Sequence, residues 1–149
     1  PIYHLYPIHH MLETGMINRG ISKLLCEQGH GDMIMIADAG FAIPKGLTVI
    51  DISLGENKPI VLEVAAELKK YFSVEKLIIA FETKNRNPAF FSAISSAFGH
   101  NMEVEMVEHK MLQEICRQKV TGVIRTGDFT AYGNVILVSG AGARWYCEK

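Results

Sequence analysis

Two titratable side chains bracket the most apolar strand-like run of the chain. The stretch GHGDMIMIADAG, residues 29–40, opens on His30 between two glycines and closes on Asp38 before Ala39 and Gly40. An imidazole changes charge near neutral pH and suits general acid or base work. Glycine on either side frees the backbone to present the ring. His30 also stands just past a helical pattern, where it is equally placed to bond the last carbonyls and offset the helix dipole. Asp38 suits two roles as well: accepting hydrogen bonds from a ligand at a strand end, or starting a turn by bonding its own backbone. A straight strand rises ~3.3 Å per residue, so positions this far apart are separated by more than about 20 Å. The pair therefore meets through a bend in the chain, meets across a subunit interface, or serves different ends of one site.

A second polar constellation lies in IRTGDFTAYGNVIL, residues 124–137. Strand-like ends flank a loop holding Arg125, Thr126, Asp128, Thr130, Tyr132 and Asn134. A phenol and an amide two residues apart, around Gly133, can point to the same side of an extended segment. Both donate and accept hydrogen bonds, which fits a hydroxyl-rich ligand; an ordinary polar hairpin turn reads the same way locally. His109 follows the alternation MEVEMVE and is placed either to face a pocket from a strand end or to serve the structure. Glu82, Thr83, Lys84 and Arg86 follow a buried run; Lys84 and Arg86 suit an anion or simply solvent. His4, His9 and His10 crowd the N-terminus without the further ligands and spacing of a metal site. HExxH, paired CxxC, a P-loop and a GxSxG elbow are all missing, and GAGAR near the C-terminus opens no helix.

These groups must be carried by the elements around them. The chain has 149 residues, fits a single domain over 1–149 and is 48% hydrophobic, enough for a sizeable core. A net charge of −1 gives no electrostatic footprint for nucleic acid or an anionic membrane. The expected partner is small and neutral, or another copy of the chain. No apolar run approaches the ~20 residues of a membrane span, and the N-terminus does not read as a signal peptide. Cys26, Cys116 and Cys147 are odd in number and far apart, which points to unpaired thiols and a cytoplasmic location.

Patterns alternate along the chain. NRGISKLLCEQGH reads as a helix capped by Asn18 and stopped at Gly29; DMIMIAD and LTVIDISL read as strands. NKPIVLEVAAELKKYF reads as a helix capped at Asn57 or Lys58 with Pro59 near its first turn. VEKLIIAFE is expected to be an inner strand, and NPAFFSAISSAFGH a helix starting at Asn87–Pro88. MEVEMVEH runs as a strand into a short helix, HKMLQEICRQ; TGVIRT and NVILVSG close the chain as strands. Such alternation predicts an α/β sandwich with a central, largely parallel sheet flanked by helices. Ligands of these sheets sit outside the carboxyl ends of strands, where Asp38, Glu82 and Arg125 fall.

Four stretches in order, GHGDMIMIADAGFAIPKG, IDISL, VEKLIIAFETKNRNP and VIRTGDFTAYGNVIL, resemble the D-ribose pyranase / L-fucose mutarotase family over roughly residues 15–140. The resemblance implies an isomerase that interconverts ring forms of free sugars with neither metal nor organic cofactor. It implies ring-shaped homo-oligomers, decamers among them, with active sites at subunit interfaces. It assigns His30 as the catalytic proton donor and Asp38, His109, Tyr132, Gly133 and Asn134 as sugar-binding residues. DAGFAIPKG, RTGDFT and His109 look like the ribose pyranase branch, whereas GHGD and YGN look like the fucose branch; VEHKML around His109 departs from the usual pattern. The expected activity is pyranose–furanose interconversion of D-ribose. The alternatives are anomer exchange of L-fucose and a non-catalytic sugar-binding ring. Residues 1–14 and 141–149 read as extensions beyond the family pattern.

Overall fold

The computed structural model describes residues 11–146. His4, His9, His10 and Cys147 lie outside them. In chain order the elements are α1 (Arg19–Cys26), β1 (Met33–Ala37), β2 (Thr48–Asp51), α2 (Val61–Lys69), β3 (Val74–Ala80), α3 (Phe81–Arg86), α4 (Pro88–Ser96), β4 (Glu103–Val107), α5 (His109–Lys119), β5 (Val120–Arg125) and β6 (Val135–Ser139). The strands form one sheet in the order β2-β5-β1-β6-β3-β4.

Alternation along each strand divides the core between the two sheet faces. Ile34 and Ile36 of β1 face α1, α2 and α4 together with Leu77, Ile79, Ile124 and Leu137. Met35 and Ala37 face the other way, toward α5 and Phe41, with Ile78, Val123 and Ile136. Successive side chains of a strand point to opposite faces, so a strand covered on both sides must be apolar at every position. Each fully buried aliphatic or thioether side chain here stabilises by about 1.5–3 kcal/mol. The helices supply matching stripes. Val61, Val64, Ala65 and Leu68 are the buried positions of α2, and Leu112 and Cys116 those of α5. α1 begins where Asn18 Oδ1 accepts the Ile21 N–H at 2.9 Å, the expected cap. Gly122 lets that helix lie close on the sheet, because a Cβ there would run into Leu24.

Three expectations need refinement. The sheet is mixed: β1–β5, β2–β5 and β3–β4 are parallel, while β6 runs antiparallel to β1 and β3. VEKLIIAFE leaves the sheet at Ala80, and its last two residues, Phe81 and Glu82, open a helix, α3, that runs to Arg86. α2 starts at Val61, beyond the anticipated cap at Asn57 or Lys58, and Pro59 precedes it through a cis Lys58–Pro59 bond. Asp128, remote in sequence, supplies the cap of α2 by accepting the Val61 N–H at 2.8 Å. Glu63 reaches back to the Ile60 N–H at 3.2 Å. No helix among the described residues is long and apolar enough to cross a membrane.

Candidate active site

Because β1, β3, β4 and β5 are parallel, their carboxyl ends share one edge of the sheet, and antiparallel β6 starts at that same edge. Asp38 follows β1, Arg125 ends β5, Asn134 precedes β6, and His109 opens α5 just past β4. They line a cleft of ≈ 760 Å³ together with Phe41, Gln113, Phe129, Thr130 and Tyr132. That volume is in the range of small-molecule sites, roughly 300–1,000 Å³.

Asp38 joins the two loops that form the cleft. It is 7% exposed. Oδ1 accepts from Gly40 N–H at 2.9 Å, closing the local turn; Oδ2 accepts from Gly133 N–H and Asn134 Nδ2, each at 3.1 Å. In return Asn134 Oδ1 accepts the Asp38 N–H at 2.9 Å. Asp38 thus makes its own turn, and it also lines the cleft. Burial pushes its carboxyl above the ordinary value; the donors at Gly40, Gly133 and Asn134 pull the other way without cancelling the rise.

The segment that presents Tyr132 is fixed from several directions. Tyr132 adopts a left-handed backbone, φ 56°, rare for a side chain of its size. Its carbonyl accepts from the buried Thr83 hydroxyl at 2.7 Å, and the neighbouring Ala131 carbonyl from Asn87 Nδ2 at 2.6 Å. Gly133 donates to the Thr130 carbonyl at 3.1 Å, and a Cβ at Gly133 would press on that same oxygen. Asp128 anchors the loop base. It is 2% exposed and accepts from Val61 N–H and Thr130 N–H at 2.8 Å each, while its carbonyl accepts from Ala39 N–H at 2.8 Å.

His109 faces the cleft between two aromatic rings. It stands edge-on to Tyr132 at 5.2 Å and to Phe41 at 6.1 Å, centroid to centroid. Its backbone N–H donates to Glu82 Oε2 at 2.9 Å, so a carboxylate satisfies the first turn of α5. Its Nδ1 is buried with no hydrogen-bond partner, the only such side-chain atom among the described residues. Buried polar atoms are nearly always paired; the residue that carries this one lines the cleft.

The charges around the cleft are committed elsewhere. Arg125 donates to Asp51 at 3.0 Å, to Ser53 Oγ at 2.7 Å and to the Ala39 carbonyl at 3.0 Å. Asp38 and Asp128 are bonded as described. The His109 ring, the Gln113 amide, the Thr130 hydroxyl and the Tyr132 phenol remain on the wall. Gln113, Phe41 and Phe129 were not singled out from the sequence. Gln113 lies one helical turn beyond His109, and that i,i+4 spacing was the available clue.

His30 is not in this cleft. β1 separates it from Asp38, and five strand residues span about 16 Å. It lies at the opposite sheet edge, beside the end of β6 and the start of β3, in a hollow of ≈ 290 Å³ shared with Phe72, Ser139, Gly140 and Trp145. The chain does not bend to bring the two groups together.

Comparison with known proteins places these features in a family. Residues 11–142 match the RbsD / FucU transport protein family. A D-ribose pyranase of Halalkalibacterium halodurans is 41% identical over 131 residues, covering 87% of this chain and 98% of that one. A D-ribose pyranase of Pseudothermotoga lettingae is 36% identical over 130 residues, covering 87% and 92%. The structure of Bacillus subtilis RbsD complexed with D-ribose superposes with a TM-score of 0.83 at 36% identity, over 89% of this chain and 99% of that one. The L-fucose complex of a fucose mutarotase from Streptococcus pneumoniae shares the fold alone, with a TM-score of 0.64 at 15% identity, over 85% and 95%. The mixed six-stranded sheet, the cleft at its carboxyl edge and the match across nearly the whole described chain agree, and the chain belongs to the RbsD / FucU transport protein family.

Proposed function

We propose that the protein is an isomerase that interconverts the pyranose and furanose forms of free D-ribose. The observation that carries this reading is a cleft, with His109 and Tyr132 on its wall, whose carboxylates and guanidinium are all internally bonded. Such a wall favours a neutral ligand rich in hydroxyls. The relatives named D-ribose pyranase and the RbsD–ribose complex support ribose as that ligand. In this reading Asp38 and Asn134 hold the loops in place, one amide hydrogen of Asn134 stays available, and His109 and Tyr132 contact sugar hydroxyls. Gly133 lets the chain pass close to them.

The acid is His30. Opening a pyranose requires a proton on the ring oxygen and removal of one from the anomeric hydroxyl; closing on a different hydroxyl reverses both transfers. One imidazole can give and take those protons, and a positioned group of this kind contributes about 10²–10⁴-fold. Since His30 and the cleft occupy opposite sheet edges of one chain, His30 of a second copy completes the site. That requires a homo-oligomer, and a ring such as a decamer would repeat the contact around its circumference. No cofactor enters this chemistry. The setting we propose is the cytoplasm.

Magnetisation-exchange NMR of D-ribose, with and without the protein, tests the activity directly, with L-fucose as the second sugar. Protein-dependent pyranose–furanose exchange is expected for ribose. Acceleration of fucose anomer exchange alone would move the protein to the mutarotase activity. Binding without acceleration of either would leave a sugar-binding ring.

A further inference from the structure

His30 stands on a tightly fastened turn. Gly31, at φ +88°, donates its N–H to the Ser139 carbonyl at 2.8 Å, and Gly29 N–H donates to Asp32 Oδ2 at 2.7 Å. The Ser139 hydroxyl closes the turn from below, donating to the Gly29 carbonyl and, at 3.0 Å, to the Asp32 carbonyl. The imidazole projects from this base with its side chain 68% exposed, and its Nε2 lies 3.0 Å from Glu75 Oε2. Glu75 belongs to β3 and packs over Gly140, where a Cβ would overlap both its Cβ and its carboxylate. Backbone bonds fasten the turn that carries the exposed ring, and the Glu75 carboxylate lies against its Nε2.

We propose that Glu75 is a positioning residue for His30, acting on the reaction through the imidazole; the proposal rests on the proton-transfer role given to His30 above. A carboxylate oxygen 3.0 Å from Nε2 accepts a hydrogen there and so favours the tautomer with Nε2 protonated. Nδ1 is then the atom that works. It gives its proton to the ring oxygen as the C–O bond of the hemiacetal breaks, and regains one from the anomeric hydroxyl as the carbonyl forms. The imidazolium is restored, and closure runs the same transfers in reverse on another hydroxyl. Without Glu75 the neutral ring is free to exchange tautomers and to rotate, so part of the population presents the wrong nitrogen.

The test compares Glu75→Ala, Glu75→Gln, His30→Ala and the Glu75→Ala/His30→Ala double variant in the full, assembled protein. Ribose exchange is measured by magnetisation transfer, ribose affinity by calorimetry, and imidazole tautomers by ¹⁵N shifts. Glu75 and His30 are both partly exposed, so the expected loss in Glu75→Ala is moderate, about five- to tenfold in maximal exchange rate with ribose affinity unchanged. Glu75→Gln still accepts from Nε2–H and should recover most of the rate and the Nε2–H tautomer. In the His30→Ala background the Glu75→Ala change should cost nothing further. Glu75→Met fills the volume without accepting, and replaces the alanine variant if that one fails to assemble. A fully active Glu75→Ala beside an inactive His30→Ala overturns the positioning role alone, as does an equal loss in both backgrounds. Full exchange in His30→Ala overturns the assigned acid and, with it, this proposal.

Discussion

Replacing Asn134 with alanine removes the clasp between the two loops of the cleft. Asn134 is 2% exposed and makes two bonds to Asp38, one to the carboxylate at 3.1 Å and one from its N–H at 2.9 Å. A hydrogen bond to a charged group contributes about 1.5–3 kcal/mol and a neutral one about 0.5–1.5. The variant should therefore lose roughly 2–4 kcal/mol, a shift of about 1–2 M in the urea midpoint. The loss should depend on pH, with a definite sign. Burial already raises the Asp38 carboxyl above its ordinary value near 3.8. A carboxyl raised in the fold contributes stability that is fully present below the ordinary value and fades as pH rises through the folded value. Removing the Asn134 donor raises it further, so the deficit of the variant should be larger at about pH 7 than at about pH 4. Urea unfolding followed by far-ultraviolet circular dichroism, at one fixed protein concentration because association shifts the midpoint, measures both quantities. A loss below about 0.5 kcal/mol, the usual scale of a surface substitution, or a deficit that does not grow with pH, would refute the reasoning.

Three further substitutions or probes address other parts of the structure. His109→Phe keeps the edge contacts to Phe41 and Tyr132 and deletes Nδ1; calorimetry should show ribose bound roughly five- to tenfold more weakly, with folding stability within about 0.5 kcal/mol of the parent. Unchanged affinity would remove the imidazole from the sugar contacts. Gly127→Ala would drive a methyl into the Gly55 and Lys58 carbonyls and should destabilise by about 1–3 kcal/mol, read as a lower thermal midpoint; an unaltered midpoint would mean that this crossing is loose. Burial pushes the Cys116 thiol up to about 11, whereas Cys26 is exposed; alkylation at about pH 8 followed by peptide mass spectrometry should label Cys26 at once and Cys116 only on unfolding. Early labelling of Cys116 would contradict its place in the core.

Local pattern made much of this architecture legible. The alternation of helical and strand-like runs led to the α/β sandwich, and Asn18 capped α1 as its type suggests. What escaped depends on partners distant in sequence. The start of α2 is set by Asp128, whose carboxylate lies 67 residues away, so no local motif announced it. Phe81–Arg86 form a helix that the sequence pattern did not indicate, with Phe81 and Glu82 expected as the end of a strand. There Thr83 is buried against the Tyr132 carbonyl and Glu82 bonds the His109 N–H, contacts that only the folded sheet creates. The direction of β6 was equally invisible, because a strand buried on both faces has the same composition either way. Within the site, Asp38, Tyr132 and Asn134 stood out through turn chemistry and spacing. Gln113 did not, since a polar residue on an amphipathic helix ordinarily faces solvent. The separation of His30 from Asp38 followed from strand length alone, as a set of alternatives that the straight course of β1 narrows.

That separation bears on the genetics of the protein. In the shared-site arrangement proposed above, each chain would carry, on opposite edges of its sheet, the donor half of one site and the sugar-holding half of another. A lesion at His30 and a lesion at Tyr132 would then damage different halves. Two defective alleles of these kinds, expressed together, would assemble into mixed oligomers in which some junctions pair an intact edge with an intact edge. Complementation within a single gene, and dominance that depends on the ratio of the two products, are then built into the geometry of β1.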